Sequence, residues 1–169
     1  MNPLINFFAL LARILLAILF VQGGYGKLFG GGMAGTVANM TSHGIPLPNI
    51  LVWGAIAVEL GVGLCLMAGL FARWAALILA AYTLALGLIF HAYWLAPAGE
   101  ARFERIIFFN HLSIIGGMLA IVAFGAGCLS LDAAMRGKAS WRAGASGGSI
   151  GAGGRNHSPV MHRPFTLLF

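Results

Sequence analysis

The stretch ILVWGAIAVELGVGLCLMAGL, Ile50–Leu70, carries one charged side chain, Glu59, in an otherwise apolar run. At 1.5 Å of rise per residue, about 20 apolar residues cross the ~30 Å hydrocarbon core of a bilayer. The run is therefore long enough to span a membrane as a helix. A carboxylate at such depth is costly, so it is expected to face a protein interior or a wet cavity and to have a partner. Three further blocks have the same character: Leu4–Val21, Trp74–Leu95 and Ile106–Leu129. The first contains a lone arginine, Arg13. Opposite signs at similar expected depths make an Arg13–Glu59 ion pair the simplest pairing.

Composition agrees with this reading. The chain is 60% hydrophobic and only 8% charged, with mean hydropathy +0.91. A soluble four-helix core would need a polar face on each helix, and these blocks have none. The fold class expected is an all-α membrane protein, a four-transmembrane-helix bundle. Residues Met33–Ser42 are expected to form a short interfacial helix after helix one, ahead of Gly44, Pro46 and Pro48. Residues 1–132 make the transmembrane domain, 133–143 a basic cytoplasmic segment, and 144–169 a disordered Gly/Ser-rich tail opening on SGGSIGAGG.

The first block does not read as a cleaved signal peptide, because no basic residues precede it and Arg13 interrupts it. Cys65 and Cys128 form no CxxC pair and look like small packing residues. The formal charge of +6 suits contact with anionic lipid headgroups, and nothing resembles a nucleic-acid module. Lys and Arg placement slightly favours the side holding Arg73, Arg136, Lys138 and Arg142 over that holding Lys27, Arg102 and Arg105. The positive-inside rule then puts both termini in the cytoplasm.

Spacing also sorts the polar residues. Arg13, Ala17, Phe20, Gly24 and Lys27 recur at intervals of four and three, which makes one stripe on helix one. Glu59 shares a face with Val52, Ile56, Gly63 and Leu66, and Gly63 leaves room beside the carboxylate. Helix three carries Thr83, Gly87 and His91, and helix four opens on Asn110 and His111. The expectation is a ligand or proton pocket of Arg13, Lys27, Glu59, His91, Asn110 and His111, open to the outer face with the Arg13–Glu59 pair at its floor. The competing expectation is that the pair is a structural clamp fixing helix register. Ala57, Gly61, Cys65 and Gly69, and likewise Gly116 and Ala120, have the spacing of close helix packing, within the bundle or in a homo-oligomer. His43, His91 and His111 do not have a metal-ligand spacing, so no metal is expected.

In their order and spacing, several segments resemble the DoxX family of small bacterial membrane proteins. They are RILLAILFVQGGYGKLFG at Arg13–Gly30, GIPLP at Gly44–Pro48 and VELGVGLCLMAGLFARWAA at Val58–Ala76. His91, FFNHLSIIGGMLA at Phe108–Ala120 and GAGCLSLD at Gly125–Asp132 complete the set. The family's helix-one arginine, the lysine at that helix's end, the helix-two glutamate and the helix-three histidine fall on Arg13, Lys27, Glu59 and His91. Where the family often has lysine-asparagine in helix four, this chain has Asn110 and His111, so a positive charge is missing unless His111 is protonated.

The resemblance implies a place in the bacterial inner membrane. Relatives are named as a subunit of a thiosulfate:quinone oxidoreductase or are linked to oxidative-stress and thiol redox complexes. Three readings follow. The first is a membrane subunit of a quinone-linked redox system, with quinone as ligand and no covalently bound cofactor. With no haem, flavin or iron–sulfur motif in the chain, its electrons would pass to a peripheral or soluble redox protein. The second is a small-solute or proton-coupled permease. The third is a membrane scaffold for a soluble enzyme.

Overall fold

A computed structural model describes residues 3–135 of the chain. It contains α1 (Pro3–Leu28), α2 (Gly32–Ser42), α3 (Pro48–Ala68), α4 (Ala72–Phe90) and α5 (Ala101–Phe124). All but α2 are long and apolar enough to cross a membrane. The described part is the expected all-α bundle, and the short helix after helix one is present. Beyond Met135, the expected basic segment and the Gly/Ser-rich tail lie outside the described residues.

Backbone chemistry sets the boundaries. Gly31 takes a left-handed φ of 74° between α1 and α2, a conformation open to glycine at little cost. Pro48 is the first residue of α3, where its missing N–H costs no helical bond. At the end of α3, Gly69 is left-handed at φ 72°. Its N–H bonds the Leu66 carbonyl and the Leu70 N–H bonds that of Cys65, which closes the helix. The start of α4 is capped from far along the chain, since the Asp132 carboxylate accepts from the N–H groups of Phe71 and Ala72. Two helices end earlier than the apolar blocks predict. α4 stops at Phe90, and α5 stops at Gly125, whose φ of 84° breaks the helix.

α3 runs antiparallel to α1, with Glu59 level with Gly23 and Gly24, Gly63 level with Phe20 and Val21, and Met67 near Arg13. α4 and α5 form the other closely paired set. The main core is made by Ala17, Phe20, Leu66, Ala76, Leu79 and Met118 from all four long helices. A smaller cluster of Met40, Val52, Ala55 and Ile56 seats α2 on α3. Large apolar side chains such as Trp53, Trp74, Leu88 and Phe109 stay exposed around the outside. Such a surface is suited to lipid rather than water.

The stripe expected on α1 is the buried one: Arg13, Ala17, Phe20 and Gly24. Of the small residues expected to pack within the bundle, Gly69 does so, buried against Ser130 and Arg13, but four others do not. Ala57, Gly61, Gly116 and Ala120 face outward, and a Cβ on Gly61 or Gly116 would meet nothing within 4 Å. Gly24, Gly63 and Gly117 make the close approaches instead. A Cβ on Gly24 would sit 2.8 Å from Leu60 Cγ, and one on Gly63 would sit 3.2 Å from Val21. The face of α3 turned inward is the one bearing Val52, Glu59 and Leu66, which leaves Ala57 and Gly61 on its back.

Candidate functional site

Glu59 lies in a π-helical segment of α3, Ala57–Val62. Such one-turn widenings inside α-helices recur at functional sites. The residue is only 5% exposed. Its carboxylate accepts from Lys27 Nζ at 2.7 Å on Oε2 and 2.9 Å on Oε1, and from the Tyr82 hydroxyl at 2.7 Å on Oε1. α1, α3 and α4 thus each supply one member of a charge-assisted cluster. Gly23 leaves room beside it, since a Cβ there would come within 3.3 Å of Oε2. The sequence reading gives that role to Gly63, which instead packs on Phe20 and Val21.

The expected Arg13–Glu59 pair does not form. Glu59 is level with Gly23, and Gly23 stands on α1 at about 15 Å from Arg13 at the helical rise. Helical side chains also lean toward the N-terminus of their own helix. Because α1 and α3 are antiparallel, the two side chains lean away from each other. Glu59 therefore meets Lys27, and Arg13 reaches toward the opposite end of the bundle.

There Arg13 is 2% exposed and donates to three main-chain carbonyls. They are Ala126 at 2.7 Å, Leu129 at 2.8 Å and Met67 at 3.3 Å. The guanidinium binds the loop after α5 to the end of α3. Both expectations, pocket floor and register clamp, concern an Arg13–Glu59 pair that does not form; Arg13 is instead a clamp on its own, through backbone oxygens.

A cavity of about 440 Å³ opens beside Glu59. Its walls include Lys27, Tyr82, His91 and His111, with Thr36 and Asn39 of α2 covering one side. Four of the six residues expected at the pocket are thus brought together: Lys27, Glu59, His91 and His111. Arg13 is at the other end, and Asn110 is exposed on the outside of α5. Adjacent helical positions point about 100° apart, so Asn110 and His111 do not enter the same cavity.

The two histidines are held similarly. His91 Nδ1 lies 2.7 Å from Glu104 Oε2, and His111 Nδ1 lies 2.8 Å from the Ile107 carbonyl. Their ring centroids are 5.1 Å apart. His111 packs on α4 at Gly87, where a Cβ would be in ordinary van der Waals contact with His111 Cβ at 3.6 Å and Cγ at 3.7 Å. His43 stands apart, packed on Phe90. No group of three His, Cys, Asp or Glu side chains able to hold a metal ion occurs among the described residues. The sequence reading misses Tyr82 and Glu104. The signal for Tyr82 is a hydroxyl deep in an apolar helix, and for Glu104 an acid close before the histidine-bearing part of α5.

Comparison with known proteins agrees with the architecture. The chain matches the DoxX family over residues 8–92. It is 32% identical over 123 residues to the inner membrane protein YphA of Escherichia coli K12, covering 73% of this chain and 86% of the relative. It is 34% identical over 123 residues to the inner membrane protein YqjF of the same organism, covering 73% and 88%. No solved structure matches the chain. With the four spanning helices, the helix-one lysine on the helix-two glutamate and these relatives taken together, the chain belongs to the DoxX family of integral membrane proteins.

Proposed function

We propose that this protein is a membrane subunit of a quinone-linked redox or oxidative-stress system, and that its cavity binds the headgroup of a quinone. One observation carries the reading: the Lys27–Glu59–Tyr82 cluster stands on the wall of a cavity that His91 and His111 also line. Its volume of about 440 Å³ falls in the ~300–1,000 Å³ range of small-molecule sites. The other walls are largely apolar, including Met40, Ala55, Leu86 and Phe90. A few convergent polar groups in an apolar wall suit a planar ring with two oxygens and a hydrocarbon tail.

A bound quinone would supply a membrane-soluble carrier of two electrons and two protons. Lys27 and Tyr82 hold Glu59 in place, and Glu59 is the group suited to keep or release a proton beside the ligand. Electrons then pass to or from a peripheral oxidoreductase, because the sequence carries no redox-centre motif of its own. The protein sits in the bacterial cytoplasmic membrane with both termini cytoplasmic, and the cavity opens on the far side. A reporter fused after Arg142 and active only outside would overturn that orientation.

Compared with the permease reading, the redox reading gains from the packing below the cavity. Ala17, Leu66, Ala76, Leu79 and Met118 are completely buried there and pack into one apolar core, which offers a solute no polar side chains to follow. The test is mass spectrometry of gently solubilised protein, wild type beside Glu59→Gln. The expected result is a quinone retained by the wild type and lost from the variant. An empty cavity in both, with equal stability, would sink the redox reading and leave Glu59 a structural residue.

A further inference from the structure

We infer that α2 is the recognition helix of the cavity: the ligand's ring lies flat over the bare backbone at Gly35, and the Asn39 amide one turn on hydrogen-bonds a ring oxygen. The inference rests on the quinone-linked reading above and adds to it which residues decide what the cavity accepts.

The two sides of α2 have different tasks. Met33, Val37 and Met40 seat the helix on the cluster of Val52, Ala55 and Ile56. Gly32, Gly35, Thr36 and Asn39 stand three and four residues apart and line the cavity. A glycine inside a helix weakens it relative to alanine, because its backbone loses more freedom on folding. A close approach or a left-handed turn can account for one. Gly32 has such a reason, since a Cβ there would sit 3.0 Å from the Gly26 carbonyl oxygen. Gly35 has neither. Its backbone is helical without a positive φ, and a Cβ there would meet nothing within 4 Å. Because Gly35 lines the cavity, the room left by its missing side chain is room for an occupant.

Asn39 adds the polar contact. The Thr36 hydroxyl donates to the Gly32 carbonyl within the helix. The main-chain carbonyl of Asn39 accepts from the Ser42 hydroxyl, while its side-chain amide has no partner among the described residues. That amide offers two donors and an acceptor. On α1, Lys27 directs two of its three ammonium protons to Glu59, and the third is left for a ligand oxygen. Gly35 and Asn39 are about 6 Å apart along the helix axis, a span that a six-membered ring and its oxygen cover.

In the test, full-length protein in phosphatidylcholine nanodiscs is titrated with ubiquinone-1 by calorimetry, with empty nanodiscs as the blank. The thermal unfolding midpoint of each variant is measured beside it. Gly35→Ala and Gly35→Leu are expected to keep or raise the midpoint. Gly35→Leu should weaken binding about ten-fold or more, the effect of overfilling a packed site. Asn39→Leu should weaken it about five-fold, the size of one hydrogen bond, at an unchanged midpoint. A lowered midpoint in either Gly35 variant would mean that protein atoms need that space. Unchanged affinity in Gly35→Leu or Asn39→Leu would mean that the ring sits elsewhere. Each of these outcomes overturns the inference and leaves the quinone-linked reading standing. No binding of ubiquinone-1 by the wild type overturns both.

Discussion

Arg13 and Glu59 look alike in the sequence, each a single charge in an apolar helix, yet the structure uses them at opposite ends in opposite ways. Arg13 is surrounded by main-chain oxygens of the α3 end and the loop after α5. None of its contacts borders the cavity. Glu59 is held by two side chains on different helices and borders open space. A charge whose partners are backbone carbonyls fixes where segments sit. A charge whose partners are other titratable side chains, beside a cavity, has alternatives available to it and can respond to a ligand. Burial does not separate the two roles, since both residues are nearly inaccessible. The identity of the partners does.

This contrast is easiest to break at Arg13. Arg13→Leu strands the three carbonyls, and each buried acceptor left unpaired costs about 1–3 kcal/mol, so a loss of about 3 kcal/mol or more is expected. Thermal unfolding in detergent would show it as a large drop in midpoint, and a variant as stable as wild type would end the clamp interpretation. Gly69→Ala should follow at about 1–3 kcal/mol. That residue has φ 72°, and a Cβ would meet Ser130 Cβ at 2.6 Å and Arg13 Nη1 at 2.7 Å. The same unfolding assay checks it.

Tyr82→Phe removes one donor from Glu59 and should cost about 1–2 kcal/mol, with a larger effect on ligand retention by mass spectrometry than on stability. If stability fell and retention did not, the Glu59 end would behave like the Arg13 end. The smallest effect is expected from Gly61→Ala. A Cβ there meets nothing within 4 Å. The unfolding midpoint should therefore move by less than about 0.5 kcal/mol equivalent. A marked loss of a dimer band on crosslinking would instead assign that outward face to a second copy of the chain.

Much of this fold was legible because helical period and hydropathy are local. The Arg13–Ala17–Phe20–Gly24 stripe and the Val52–Glu59–Leu66 face follow directly from spacing, and both are buried. Pairing between helices was not legible, because it depends on how far one helix slides past another. Between the two helices lie α2 and its flanking turns, whose geometry spacing within one helix does not give. The offset brought Glu59 level with the Lys27 end rather than with Arg13. Glu104 was hidden for a similar reason, since the turns between Phe90 and Ala101 decide which acid meets His91. Asn110 illustrates the reverse limit, a polar residue in a promising motif that the helix rotation turns outward.

The Arg13 contacts also bear on how the protein is made. Two of its three carbonyl partners lie 113 and 116 residues later in the chain. While the ribosome is still producing the first helices, those oxygens do not exist. An arginine at the centre of an inserting helix costs about 2.5–3.5 kcal/mol. The first helix must therefore enter the membrane with its charge provisionally hydrated or sheltered, and it reaches its final setting only after Leu129 has been synthesised. Biogenesis of this chain is completed from its far end, so truncations just before Ala126 should leave inserted but unlocked protein, exposed to membrane proteases.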